Sequence, residues 1–331
     1  MGGSQLNEKG LAVLEQYDLD VRNARRGRGS FLVETDQGMK ILTEFSGTEG
    51  RLDFQSQVMG HLKEKGMERL DFLVPNREGT FLVKDREEIS YILRDWNEGR
   101  ECDARSLADI SEAVRTLAFL HRNFVFPHVE RRENYGEAPL SAELTRKNKE
   151  LRKVRKFIRT RRRKNTFEQE FLNRFEEFYQ EAEAAEALAR SESAEGLYRE
   201  SLEKGCLCHG DYNHHHILLS GEGTAVTEFG RCHYGVQVGD LSQFFRKILE
   251  KLNWDRTYGT AMLREYQRIR PLSEAERENL KIRLLYPEKF WKLANHYYGS
   301  SKAWMPQKNT EKLAALCGQQ NQKASFLKIL D

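Results

Sequence analysis

Residues 206 to 230, CLCHGDYNHHHILLSGEGTAVTEFG, decide the reading of this chain. Two short apolar runs, HILLS and AVTEF, flank a Gly-Glu-Gly turn and read as a strand hairpin. A polar loop carrying His209, Gly210 and Asp211 leads into it. The layout sets Asp211 on the loop, His216 at the mouth of the first strand and Glu228 near the end of the second.

Upstream, VRNARRGRGSFLVETDQGMKILTEF, 21 to 45, reads as two strands, FLVET and KILTEF, joined at Asp36-Gln37-Gly38, after a turn-rich lead-in with Gly27 and Gly29. From Arg51 to Lys65 the spacing of Leu52, Val58, Met59 and Leu62 becomes helical, and Gly66 stops the run. FLVK at 81 to 84 and ISYILRDW at 89 to 96 complete a small strand-strand-helix-strand-strand unit, with NEGREC as its exit. Beyond Asp103, SLADISEAVRTLAFLHRNF places Leu107, Ile110, Val114, Leu117 and Leu120 on one helical face. The remainder is mainly helical in pattern, with breaks around Pro287 and Pro306. LTRKNKELRKVRKFIRTRRRKN, 144 to 165, is basic and helix-competent, whereas Thr166 to Lys204 is acidic; the reversal implies packed antiparallel helices or a charged insertion. No internal repeat is present.

At 331 residues the chain can bury a large core, as one big domain or two smaller ones. A net charge of +3 gives no general case for nucleic acid or an anionic membrane. Five cysteines without a CxxC pair argue against a disulfide framework or a zinc ribbon and for a reducing compartment. MGGSQLNEKG lacks the apolar core of a signal peptide, Leu6 breaks the myristoylation pattern, and no run approaches membrane-spanning length. Synthesis in the cytosol is the expectation.

A loop Asp, a ligand five residues on and an acid after the next strand make up a phosphotransferase catalytic loop and metal hairpin. There the Asp accepts the substrate hydroxyl's proton, an Asn holds one metal ion, and a second Asp holds metal against the phosphates. The same offsets here give Asp211, His216 and Glu228.

On RGRGSFLVETDQG, DWNEGRECD, CHGDYNHHHILL, CHYGVQVGDLSQFFRKILEK, IRPLSEAE, LLYPEKFWKLANHYY and KAWMPQKNTEKL, the chain resembles the aminoglycoside-phosphotransferase and choline-kinase-like proteins, most closely their spore-coat branch, the CotS family. The resemblance covers almost the whole chain. It implies an α+β, two-lobed protein kinase-like fold, with a small antiparallel-sheet lobe over 1–97 and a larger helical lobe over 98–331 that holds the loop around Asp211 and the charged segment 144–204. It implies ATP with Mg or Mn as the ligand of a working relative, and Gly27, Gly29, Thr43, Gln55, Asp95 and Trp96 at the nucleotide site. It further implies assembly at the spore coat among spore coat proteins.

Departures from a working kinase accompany the agreement. The pattern of two apolar residues then Lys puts the phosphate-binding lysine at Thr43, and Lys40, three residues away along a strand, points to the opposite face. The helix carboxylate that would orient such a lysine is Gln55. Glu228 is one methylene longer than Asp, and His216 offers nitrogen where magnesium prefers oxygen. Asp211 is the candidate base, but a base without positioned phosphates has little to do. Asp240, in VGDLSQF, takes a supporting structural role.

Plainer readings stand beside these. Asp211 and His209 can be a hydrogen-bonding pair that shapes the loop. Three consecutive histidines, His214 to His216, cannot all converge on one ion from an extended loop. Gly27 and Gly29 can be a simple turn, with Arg25, Arg26 and Arg28 left to attract anions. Cys206, Cys208 and Cys232 read as small buried residues. The run Arg146 to Lys164 is either a solvated face paired with the acidic segment or a docking surface for an acidic partner; no nucleic-acid reading motif accompanies it. The leading expectation is a kinase-fold spore-coat protein with little or no catalysis. Its rivals are an ATP-dependent phosphotransferase acting on a small hydroxylated molecule or a coat protein, and an electrostatic adaptor.

Overall fold

The computed structural model describes residues 8–27, 29–126, 132–299 and 306–331. Arg28, the stretch 302–305 of KAWMPQKNTEKL and the opening stretch up to residue 7 lie outside the described residues. In chain order the strands are β1 (Val21–Arg26), β2 (Ser30–Thr35), β3 (Gly38–Glu44), β4 (Val83–Lys84), β5 (Ser90–Asp95), β6 (Arg100–Glu101), β7 (Leu207–Cys208), β8 (Ile217–Ser220), β9 (Gly223–Val226) and β10 (His233–Tyr234). The helices are α1 (Glu49–Glu64), α2 (Leu107–Asn123), α3 (Leu140–Thr160), α4 (Thr166–Ala189), α5 (Glu192–Lys204), α6 (Val238–Leu249), α7 (Arg256–Ile269), α8 (Glu274–Leu285), α9 (Glu288–Gly299), α10 (Pro306–Cys317) and α11 (Gln320–Leu327). The chain falls into two compact units, one formed by the residues up to Asp103 with His209–Cys232, the other by Ala104–Cys208 with His233–Asp331.

In the first unit a five-stranded sheet runs in the order β1-β2-β3-β5-β4, antiparallel throughout. FLVET and KILTEF pair as expected, with Phe31 opposite Leu42 and Val33 opposite Lys40. Gly38 takes φ +90, a conformation open to glycine at little cost, and Thr35 Oγ1 closes the turn by donating to Gly38 O at 2.7 Å. The lead-in read as turns is itself strand β1, and of FLVK only Val83 and Lys84 are in a strand. Exposed, polar VRNARR carries no apolar alternation; its pairing with β2 decides its conformation.

Alternation along β3 and β5 gives the sheet two differently packed faces. Leu42 and Leu93 face one core, with Val13, Leu14, Tyr17, Phe31, Val33 and Tyr91. Ile92 faces the other, against Leu52 of α1 and Leu73. Helix α1 starts at Thr48, whose hydroxyl accepts the Arg51 N–H at 3.3 Å, a cap worth about 1 kcal/mol. Gly66, at φ +85, follows its end. Strands β6, β8 and β9 form a separate small sheet.

The second unit is mainly helical. In α2, Ile110, Val114, Leu117 and Leu120 are buried as the spacing predicts, but Leu107, in the first turn, is exposed. The basic run ends as a helix at Thr160, short of residue 165, because Asn165 and Glu168 form a capping box that starts α4. Helices α3 and α4 are antiparallel neighbours, as contacts from Asn148 to Ala182 and from Arg155 to Glu176 show. Apolar packing holds them: Leu151, Val154 and Ile158 meet a row of Phe167, Phe171, Phe175 and Phe178, with Phe290 stacked 4.7 Å from Phe171 and 4.5 Å from Phe178. The five cysteines form no disulfide; Cys208 and Cys232 are buried, and Cys206 is half-buried. Among the described residues no helix is long and apolar enough to cross a membrane.

Candidate functional site

The first unit carries every residue singled out for nucleotide, metal or proton chemistry. Thr43 pairs with Ile92 across the ladder and so lies on the face that packs against α1. Lys40 lies on the other face. It is buried there, with Nζ 2.6 Å from Asp95 Oδ1 and 2.9 Å from Gln37 O. The face that would hold a phosphate lysine therefore presents a hydroxyl, and the nearby lysine is engaged behind the sheet. Gln55, on α1, is buried, with its amide Nε2 3.6 Å from Met59 Sδ.

Asp95 donates its backbone N–H to Phe72 O at 2.8 Å, and Trp96 donates to Met39 O at 3.0 Å, while the indole stays partly exposed. Gly27 and Gly29 form the turn between β1 and β2. Gly27 N–H donates to Ser30 O at 2.8 Å, a Cβ on Gly27 would meet Ser30 Oγ at 2.8 Å, and Gly29 sits at φ +73.

In the loop, His209 is fully buried. Its Nδ1 accepts the Asp211 N–H at 3.2 Å and its Nε2 lies 3.0 Å from Thr227 O, so the ring fits the tautomer protonated at Nε2. Phe229 packs on it at 4.6 Å. The ring thereby ties the Asp211 loop to the end of the hairpin. Asp211 itself is partly exposed. Asn213 organises its surroundings, with Nδ2 2.9 Å from Asp211 O, 3.2 Å from Asp211 Oδ1 and 2.9 Å from His216 Nδ1. His216 Nδ1 is also 2.9 Å from Asp211 O, and His215 reaches away to Glu101.

Glu228 follows β9 in the left-handed region at φ 70, strained for a residue with a side chain. Asp71 holds it there by accepting the Glu228 N–H at 3.0 Å. Arg94 spans both acids, with Nη1 2.7 Å from Asp71 Oδ2 and Nη2 3.0 Å from Glu228 Oε1. Burial works to raise the Glu228 carboxyl, but the Arg94 guanidinium outweighs it and holds the group below the usual range. At the more deeply buried Asp71, burial wins over the same arginine and pushes the carboxyl up to about 6. Asp71 Oδ1 and Arg94 Nε are buried without a hydrogen-bond partner among the described residues. Arg51 fastens α1 to the following turn through Gly230 O, at 2.9 Å, and Cys232 O.

Magnesium asks for a near-octahedral set of oxygens. Here Glu228 is committed to a guanidinium and His216 to its own loop, and among the described residues no three His, Cys, Asp or Glu side chains come together to hold a metal ion. The site as built does not fit a divalent ion. Arg94, Asp71, Asn213 and Arg51 escaped the sequence reading. The only signal was a charge inside an apolar run, Arg94 in ISYILRDW and Asp71 in RLDFLV, where burial demands a partner. Asp240, in the second unit, is buried with Oδ2 3.3 Å from His121 Nε2, and His121 Nδ1 lies 2.7 Å from Tyr266 Oη.

Comparison with known proteins places this geometry. The chain is 26% identical over 324 residues to spore coat protein S of Bacillus subtilis (strain 168), covering 93% of this chain and 88% of that protein. An aminoglycoside phosphotransferase from Alicyclobacillus acidocaldarius subsp. acidocaldarius DSM 446 superposes with a TM-score of 0.86 at 19% identity, covering 99% of this chain and 96% of the other. Spectinomycin phosphotransferase APH(9)-Ia, solved with ADP and spectinomycin, gives a TM-score of 0.65 at 10% identity over 96% of this chain and 95% of its own. Amicoumacin kinase hAmiN, solved with AMP-PNP, Ca2+ and Ami, gives 0.58 at 14% identity, covering 95% and 92%. The fold is therefore the α+β kinase-like fold expected from the sequence, and the chain, matched by the family model from residue 11 to 330, belongs to the spore coat putative kinase YutH family.

Proposed function

We propose that this protein is a spore-coat assembly component whose kinase-like site transfers phosphoryl groups poorly or not at all. It is made in the cytosol and joins the coat through protein contacts. The observation that carries the reading is the Arg94 guanidinium 3.0 Å from Glu228 Oε1, which places a fixed cation on the acid that would otherwise bind metal. Thr43 and Gln55, in place of a lysine and its orienting carboxylate, point the same way. Phosphoryl transfer depends on positioned phosphates and charge neutralisation, and this site keeps a candidate base, Asp211, without either.

The second reading is an ATP-dependent phosphotransferase, using Mg or Mn, that acts on a small hydroxylated molecule or a coat protein. It draws support from the ordered setting of Asp211, with Asn213 at 3.2 Å, and from the nucleotides bound in similar folds. In that reading His209 orders the loop, Gly27, Gly29 and Trp96 border the nucleotide, and Asp95, held by Lys40 on the other face of the sheet, would have to be released to reach it, as would Glu228 and His216 to hold metal. Recruitment of an Asp211→Asn variant to the spore coat separates the two. Normal recruitment and coat properties support assembly without catalysis, and a well-folded variant that fails to complete the coat supports the enzyme.

A further inference from the structure

The outer face of α3 carries more positive charge than the protein's own acids take up. Twelve Lys and Arg lie between Arg146 and Lys164 against one acid, Glu150. Some are accounted for. Arg146 meets Glu150 at 2.7 Å, Lys147 lies between Glu143 and Glu288, Arg155 reaches Glu176 at 3.2 Å and Arg161 reaches Glu168 at 3.1 Å. Arg152 donates to Tyr179 Oη, and Lys164 to Arg161 O. Lys149, Lys153, Lys156, Arg159, Arg162 and Arg163 are exposed and have no ion pair among the described residues. The first four recur at spacings of four and three, which on a helix is a continuous stripe.

Beside this stripe stand two exposed aromatic rings. Phe157 is 40% exposed and Tyr298 of α9 is 42% exposed, their rings edge to face at 5.4 Å. Lys153 Nζ sits 4.9 Å from the centre of the Tyr298 ring, and the Arg161 guanidinium 5.9 Å from that of Phe157. Phe157 is not part of the buried cluster that Ile158 joins on the inner side of the helix. Unpaired like charges on successive turns repel and weaken a helix, so their retention beside exposed aromatic surface calls for a compensating partner.

We propose that this face of α3 docks an acidic protein segment that carries an apolar side chain, the acids lying along the lysine stripe and the apolar group on the Phe157–Tyr298 pair. Exposed ion pairs are individually weak and mainly steer and orient an encounter, whereas a desolvated aromatic contact supplies lasting affinity. The aromatic pair also favours protein over nucleic acid. Stacking of bases needs open ring faces, and here Lys153 covers Tyr298 while the two rings meet edge to face. Placing the partner in the coat rests on the function proposed above, but the chemistry of the surface does not.

The test is selection of a random displayed peptide library on the full chain, in parallel with a variant combining Lys153→Glu, Lys156→Glu and Arg159→Glu. All three side chains are solvent-facing, and an unchanged thermal midpoint checks the fold. The expected result is peptides enriched in Asp and Glu around a Leu, Phe or Trp, with binding that falls about tenfold or more in the charge-reversed variant and weakens with added salt. Phe157→Ser with Tyr298→Ser removes the preference for the apolar residue and keeps the preference for acids. No acidic enrichment, or the same peptides selected by the charge-reversed chain, overturns the proposal. Binding of a single-stranded oligonucleotide as tight as that of the selected peptides, indifferent to the two aromatic changes, overturns it as well. Turnover of ATP by the same protein would upset the function proposed above and leave this surface as it is.

Discussion

Lys40 Nζ lies 2.6 Å from Asp95 Oδ1, joining β3 to β5 on the sheet face away from α1. The pair is a structural fastener, and it removes from the opposite face the lysine nearest in sequence to the phosphate position.

Lys40→Met should therefore cost about 1–2 kcal/mol of stability by urea denaturation, since Asp95 loses its partner while staying partly hydrated. A double variant with Asp95→Leu should recover part of that loss through the coupling between the two sites. Unchanged stability in Lys40→Met would mean that the ion pair is not formed in solution.

Restoring the lysine and its carboxylate with Thr43→Lys and Gln55→Glu should not bring back turnover, because Arg94 still occupies Glu228. A coupled assay of ATP consumption in magnesium and in manganese checks this. Substantial activity in the double variant would show that the lysine pair alone had been limiting.

These two variants mark how far the sequence could be read. The strand period of two put Thr43 and Lys40 on opposite faces correctly, the helical spacing after Arg51 identified α1 and its buried Leu52, Val58, Met59 and Leu62, and the hairpin around the Gly-Glu-Gly turn is present as β8 and β9. β1 was hidden because a polar edge strand has no periodic signature, and its pairing partner supplies what its composition does not. The Arg94–Glu228 contact was hidden for a different reason. It joins residues far apart in the chain, and nothing local in ISYILRDW says which acid a buried arginine will find. The fate of the basic run was half legible: its helical character was evident, but not that α3 meets α4 through phenylalanines, buries Lys147 and leaves Lys149, Lys153 and Lys156 outside.

His121 gives the second unit a pH dependence. Burial lowers its basicity and outweighs Asp240, which works the other way, so the folded protein holds the imidazole neutral where the unfolded chain, with the ordinary value of 6.5, begins to take up a proton. The folded-state value is the depressed one, so this stabilisation is complete above about pH 6.5 and is lost as the pH falls below it. Denaturation midpoints measured from pH 7.5 down to 5.5 should drop more steeply for the natural protein than for His121→Gln. Parallel curves would show that His121 is not held neutral between Tyr266 and Asp240.

On the function proposed above, the site lacks the charges to hold a metal nucleotide. The most direct test is the thermal midpoint of the full chain in millimolar ATP with magnesium, and again with manganese, because a ligand that binds only the folded state must raise that midpoint. No shift beyond that of salt alone and no ATP consumption are expected. A clear metal-dependent shift, together with turnover abolished by Asp211→Asn, would contradict that function.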